Sequence, residues 1–167
     1  MLPEIDFSLL ADSGKLFVGH SDFTALQMGL LAQTGAVSFA GPMICDDFSR
    51  ADTSEFTHHH FWQCIAEPEL RVRVETKANP PLEASGVLSG VLWGGNLSML
   101  VHLLGTPWMP DIEGGILFIE DINEHPYRVE RMLTQLLHAG VLAQQKAIVF
   151  GQFSNYKLVP HDKGFKL

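Results

Sequence analysis

Short continuous apolar runs alternate along the chain with stretches in which apolar residues recur at helical spacing. The runs predict strands at residues 15–18, 36–42, 86–95, 115–121 and 146–153. The spacing predicts helices at residues 24–35, 52–66, 97–105 and 127–140, and three of them stop at a glycine. Because strands and helices follow one another in turn, we expect an α/β protein.

Local signals add helix starts and a domain boundary. Asp52 with Glu55 three residues later resembles a capping box, and Asn96 can cap the helix that follows it. The stretch "EPELRVRVETKANPPLEASG" changes from alternating polar and apolar residues to prolines and small polar residues. We therefore predict a first domain at residues 1–70, a linker at 71–86 and a second domain at 87–167.

Composition narrows the class of protein. The hydrophobic content of 46% allows a substantial core, and the net charge of −8 without a basic patch argues against nucleic acid as a partner. Cys45 and Cys64 form no CxxC pair, which fits a reducing compartment. We see no export signal at the N-terminus, and the most apolar window is interrupted by "GGN" and a proline. These features predict a cytoplasmic protein without a membrane segment.

The residues Gly19-His20-Ser21-Asp22 lie where the first predicted strand turns into a helix. A serine on such a turn has an exposed hydroxyl, and the backbone N–H groups after it point at developing negative charge. Ser21 is therefore a candidate nucleophile, although "GHSD" is not the usual G-x-S-x-G pattern. From the residues alone, a simpler interpretation is favoured, in which Ser21 or Asp22 only caps the helix.

A serine nucleophile needs a base and an acid that orients the base. His20 is a poor base for Ser21, since neighbouring side chains on a turn diverge. Glu120 and Asp121 end a predicted strand, and acids at strand ends in α/β folds often face the active crevice. The alternative is a solvated strand end, because the following loop is polar throughout.

The remaining polar motifs carry weaker signals. His58–His60 are consecutive and lack the i, i+4 spacing of metal ligands on a helix, so we expect a polar, partly exposed helix face and no metal. We also expect no cofactor. Gly95 and Asn96 are candidate substrate-binding residues, because glycine lets backbone approach a ligand; a tight turn with a helix cap is the alternative.

Four stretches together resemble the LD-carboxypeptidase family in order and spacing, over most of residues 15–153. They are "GHSDFTALQMGLLAQ", "GPM", "LWGGNLSMLVHLLGTPWMP" and "GILFIEDINEHPYRVERMLTQLLHAG". The resemblance implies a metal-independent serine peptidase with a Ser-Glu-His triad. It also implies a Rossmann-like N-terminal α/β domain that carries the nucleophile turn and a C-terminal α/β domain that carries the acid, each present here in part.

By position, the resemblance puts the nucleophile on Ser21, the acid on Glu120 and one oxyanion donor on the N–H of Asp22. The implied reaction releases the terminal D-alanine from a murein tetrapeptide by cutting an L,D amide bond in cytoplasmic cell-wall recycling. Family members commonly form homodimers, and the same is expected here.

The resemblance covers roughly the middle half of a family member. The triad histidine of the family lies downstream of the last matching strand, and no histidine of this chain occupies that position. We therefore expect the 167-residue chain to be inactive by itself. Two alternatives stay open, namely an immunity-type peptidase of the same family that cleaves a peptide-nucleotide toxin, and a non-catalytic remnant that binds wall peptides.

Overall fold

The computed structural model describes residues 1–67, 69–73 and 86–162. Contacts group the chain into two compact units, one formed by Met1–Ala40 with Ser89–Leu167 and the other by Gly41–Leu88. Most of the linker predicted at 71–86 lies outside the described residues. The domain bounds derived from the sequence stay a prediction.

Helices and strands alternate through the first unit. Its helices and strands are α1 Phe7–Asp12, β1 Val18–Gly19, α2 Phe23–Thr34, β2 Phe39–Ala40, β3 Leu92–Asn96, α4 Leu97–Leu103, β4 Ile116–Ile122, α5 Pro126–His138 and β5 Ala147–Ser154. Single 3-10 turns lie at Leu2–Glu4 and Leu142–Gln144. In the second unit the described residues contain α3, Glu55–Ala66.

Two parallel sheets organise the first unit. β1 pairs with β2, and the other sheet has the order β3-β4-β5. The register of β4 and β5 shifts between Ile119, which pairs with Phe150, and Asp121, which pairs with Phe153. One residue of β4, Glu120, therefore lies opposite two residues of β5, as in a β-bulge. The α/β fold class predicted from the sequence is confirmed.

The core of the first unit lies between the larger sheet and helices α4 and α5. Alternate residues of β4 point to this side, so Leu117 and Ile119 are fully buried. The apolar positions of the helices meet them at helical spacing. These core residues are Leu97, Leu100, Leu103, Val129 and Leu136.

Several helix ends agree with the sequence prediction and one does not. α2 ends at Gly35, whose φ of 71° is left-handed, and the Asn96 carboxamide oxygen accepts from the Met99 N–H at 3.1 Å at the start of α4. The predicted capping box of Asp52 and Glu55 is wrong. Ser54 has the extended backbone of an N-cap and its Oγ accepts from the Thr57 N–H, whereas Asp52 lies two residues too early.

The three histidines of α3 belong to an aromatic cluster in the second unit. The rings of Phe48 and His58 are 4.7 Å apart, and His59 is exposed. Among the described residues, no group of three histidine, cysteine or acidic side chains could hold a metal ion. Within the same residues, no helix is long and apolar enough to cross a membrane.

Candidate active site

Ser21 lies at the sharp turn between β1 and α2. Its φ of 57° is left-handed, which is uncommon for a residue with a Cβ and costs about 1–2 kcal/mol. The turn is closed by hydrogen bonds from the first N–H groups of α2, since Phe23 N–H donates to His20 O at 3.2 Å and Thr24 N–H donates to Ser21 O at 2.9 Å. A Cβ at Gly19 would lie 2.5 Å from the Phe23 ring, so the turn also requires glycine there.

The interpretation of Asp22 as a side-chain cap of α2 is wrong. Asp22 occupies the N-cap position, but its backbone is already helical, with φ −57° and ψ −23°. A capping side chain needs an extended backbone to reach back to the first turn. Within the described part of the chain, no N–H of α2 is capped by this carboxylate. The backbone N–H of Asp22 is thus at the start of a helix, next to Ser21, where partial positive charge collects.

Glu120 and Asn96 are direct neighbours on β4 and β3, near the carboxyl ends of both strands. Burial raises the pKa of the half-buried Glu120 carboxyl, and the charge of Asp121 raises it further. The nearby charge of His20 and a hydrogen bond from the Asn96 side chain act in the opposite direction and lower this pKa. His20, which precedes the candidate nucleophile, is therefore close enough to Glu120 to influence its ionisation.

Asn96 is only 5% exposed and links three elements of the first unit. Its backbone N–H donates to Thr24 Oγ1 on α2, its side-chain oxygen caps α4, and the residue pairs with Glu120 of β4 in the ladder. The preceding Gly95 has a φ of 143°, and a Cβ there would lie 2.7 Å from Thr24 Oγ1. The glycine therefore permits the close approach of α2 to this strand. The roles of Gly95 and Asn96 toward a substrate stay predictions.

Asp121 differs from Glu120 in its surroundings, although both were candidate acids. Asp121 is 3% exposed and points to the helix side of the sheet. Its Oδ2 accepts from the Ser98 N–H at 2.9 Å and from the Ser98 hydroxyl at 2.7 Å. These bonds hold the first turn of α4, so Asp121 is a structural residue and Glu120 is the acid on the opposite face.

Two buried polar residues of α2 were missed by the sequence reasoning. The Thr24 hydroxyl oxygen accepts a hydrogen bond from the Asn96 N–H at the end of β3. The Gln27 side chain donates to Gly19 O at 3.3 Å and to Phe39 O at 2.8 Å. A signal was present, because Thr24 and Gln27 are three positions apart on a helix that is otherwise largely apolar. The structure thus connects the Ser21 turn to the strand end of Asn96 and Glu120 through α2.

Comparison with known proteins places these features in a family. A profile described as the LD-carboxypeptidase N-terminal domain matches residues 1–41, and one described as the C-terminal domain matches residues 89–166. A probable murein peptide carboxypeptidase of Bacillus subtilis is 39% identical over 163 residues, which are 98% of this chain and 51% of that protein. The chain therefore spans about half the length of the curated relatives it matches.

Solved structures support the same assignment. The crystal structure of muramoyltetrapeptide carboxypeptidase from Oxalobacter formigenes matches with a TM-score of 0.89 and 57% identity, over 99% of this chain and 55% of that one. The microcin C7 self-immunity protein MccF of Escherichia coli is 30% identical over 91% of this chain and 52% of its own length. A structure of MccF with glutamyl sulfamoyl guanosine matches with a TM-score of 0.83 and 26% identity, over 99% of this chain and 56% of that one. The chain belongs to the LD-carboxypeptidase family.

Proposed function

We propose that this chain supplies the nucleophile and the acid of a cytoplasmic serine carboxypeptidase that releases terminal D-alanine from murein tetrapeptides by hydrolysing an L,D amide bond. The observation that carries the proposal is the left-handed Ser21, with a φ of 57°, at the head of α2. Backbone strain on a residue other than glycine is typical of functional turns, because the surrounding structure must hold it in place. The names of the murein peptide and muramoyltetrapeptide relatives support this substrate class.

Each residue has a defined role in the proposed reaction. The Ser21 hydroxyl attacks the scissile carbonyl carbon as a base removes its proton, and the N–H of Asp22 stabilises the resulting oxyanion. The intermediate collapses to an acyl-enzyme, and D-alanine leaves with the proton from the base. Water then attacks the ester and releases the tripeptide. We assign the base to no residue among those described.

Glu120 is proposed to orient the basic histidine and to stabilise it when it becomes charged. Its half-buried position suits that role, because a carboxylate removed from water attracts an imidazolium more strongly than a solvated one does. Asn96 on β3 is the ladder partner of Glu120 and lies directly beside it. Gly95 and Asn96 are proposed to border the substrate at the same strand end.

The test measures D-alanine released from a murein tetrapeptide. It uses the 167-residue chain and, in parallel, the product of the whole reading frame that contains it. Ser21→Ala is expected to lower turnover by a factor on the order of 10⁴ or more, whereas Ser13→Ala, a serine on the exposed end of α1, leaves it unchanged. Full activity of Ser21→Ala would overturn the nucleophile assignment.

A second candidate substrate is a peptide-nucleotide toxin, which the similarity to MccF supports. The same preparations are therefore offered glutamyl sulfamoyl guanosine beside the tetrapeptide. Hydrolysis of the nucleoside conjugate, with no D-alanine release, would favour the immunity-type activity. Binding of the tetrapeptide without turnover in either preparation would favour a non-catalytic peptide-binding protein.

A further inference from the structure

We propose that Thr24 is a positioning residue that fixes the Ser21 turn to the strand end carrying Asn96 and Glu120. The inference deepens the proposed function and rests on it for its catalytic meaning. It concerns a contact between residues 72 positions apart, which neither their types nor their spacing in the sequence reveals.

Thr24 belongs to the Ser21 turn through its backbone. It lies in the first turn of α2, and its N–H donates to the carbonyl of Ser21 at 2.9 Å. This hydrogen bond is one of those that close the left-handed turn. Any displacement of Thr24 therefore moves the backbone that carries the candidate nucleophile.

The side chain of Thr24 joins that turn to β3. The residue is 1% exposed, and its Oγ1 accepts the backbone N–H of Asn96 at 3.2 Å. The side chain also lies so close to Gly95 that a Cβ there would be 2.7 Å from Oγ1 and 3.0 Å from Cγ2. Thr24 thus meets the strand with both branches, the hydroxyl as a hydrogen-bond acceptor and the methyl group by packing.

Asn96 extends the connection to the candidate acid. Its side-chain oxygen is occupied by the Met99 N–H at 3.1 Å, which fixes the orientation of the amide. Asn96 is also the ladder partner of Glu120 across β3 and β4, and its side chain lowers the pKa of the Glu120 carboxyl. A shift of the Asn96 backbone therefore changes the position and the ionisation of Glu120, so Thr24 influences both candidate catalytic residues.

The test compares three variants in the product of the whole reading frame and in the 167-residue chain. Thr24→Val keeps the shape but removes the acceptor, and Thr24→Ser keeps the acceptor. Thr34→Val is the matched control, because Thr34 lies on the same helix and its hydroxyl bonds Leu30 O and the Ala36 N–H. The measurements are amide hydrogen exchange at Asn96, NMR titration of Glu120, and kcat and KM.

Thr24→Val is expected to accelerate exchange of the Asn96 amide by about tenfold or more, because its hydrogen bond is lost. The pKa of Glu120 should rise, since the weakened Asn96 bond no longer lowers it as much. Misplacement of the reacting groups should lower kcat on the order of 10²-fold, with a much smaller change in KM. Thr24→Ser should restore most of each property, and Thr34→Val should affect none of them.

Normal Asn96 exchange and an unchanged Glu120 titration in Thr24→Val would overturn the inference. Equal effects of Thr34→Val would also overturn it, because they would show a general loss of helix stability. If the unmodified protein releases no D-alanine in either preparation, the proposed function fails separately. The exchange and titration results then still decide whether Thr24 links the turn to the strand end.

Discussion

Replacing Asp121 by alanine is expected to destabilise the sheet end that carries Glu120. The Asp121 carboxylate is buried and accepts the N–H and the hydroxyl of Ser98, at 2.9 and 2.7 Å, and the N–H of Ile122 at 2.7 Å. Ser98 lies in the first turn of α4, where backbone N–H groups have no partner within the helix. Asp121→Ala would therefore leave a half-buried N–H of the helix without its acceptor.

The magnitude follows from the bonds to Ser98. A hydrogen bond to a charged group contributes about 1.5–3 kcal/mol, and a carboxylate near a helix N-terminus adds about 0.3–1 kcal/mol. The Ile122 bond is between adjacent residues and is left out of this sum. Together, the loss of both Ser98 bonds and of this helix interaction should lower the free energy of unfolding by about 3–7 kcal/mol. Ser98→Ala removes only the hydroxyl bond and should cost about 1.5 kcal/mol.

Urea unfolding followed by tryptophan fluorescence measures this difference. The Trp62→Phe background removes the tryptophan of the second unit, so that the signal comes from the first unit, in which Trp93 is buried. A loss below about 1 kcal/mol for Asp121→Ala, or an equal loss for Ser98→Ala, would refute the reasoning.

The charge of Asp121 also affects the pKa of Glu120, and a variant that removes only this charge tests that effect apart from packing. Because this charge raises the pKa of Glu120, Asp121→Asn should lower the Glu120 pKa toward its usual range. An NMR titration of the Glu120 carboxyl carbon measures the change. An unchanged or higher pKa in Asp121→Asn would contradict the assigned cause.

Three further predictions concern the same strand ends. Ser21→Gly should be more stable than Ser21→Ala by about 1 kcal/mol in urea unfolding, because glycine adopts the left-handed φ of 57° without strain. Gly95→Ala should lower the free energy of unfolding by about 3 kcal/mol or more, since the new Cβ would collide with Thr24. Gly105→Ala is the control, because Gly105 also has a positive φ but has open space around it, and this change should cost about 1 kcal/mol. The raised pKa of Glu120 means that the folded state favours the protonated carboxyl, so the free energy of unfolding should fall as the pH rises from the usual pKa of a glutamic acid through the raised one. Urea midpoints measured across this pH range should show the fall, and they should depend less on pH in Glu120→Gln.

Local rules explain the parts of the fold that the sequence predicted well. Gly35 ends α2 because glycine accepts the left-handed conformation after a helix, and Asn96 caps α4 because its side chain reaches the third N–H. Strand bounds were less accurate, since the apolar run at 36–42 forms ladder pairs only at Phe39–Ala40. An apolar run indicates which residues are buried, but the extent of strand pairing depends on the neighbouring strand, which is distant in sequence.

Only those features of the candidate site that depend on residues adjacent in sequence could be predicted. Ser21 was a candidate because the sequence predicts a strand-to-helix turn at this position, although the residues alone favoured a helix cap there. Glu120 and Asp121 alternate along a strand and must face opposite sides, but the sequence does not indicate which side the helices cover. The hydrogen bond between the Asn96 N–H and Thr24 Oγ1 joins segments that meet only in the folded chain, so no local sequence pattern predicts it.

The strained backbone of Ser21 must be held in place by its surroundings, and side-chain hydrogen bonds contribute to this. β1 and β2 pair over only two residues each, so their ladder alone provides few hydrogen bonds at the turn. The buried Gln27 compensates, because its amide donates to Gly19 O at the end of β1 and to Phe39 O on β2. A buried amide that binds two carbonyls resists displacement more specifically than apolar packing does, since each donor must keep its partner. The helix that begins at the turn therefore also holds the strand before it, which explains how a left-handed serine persists there.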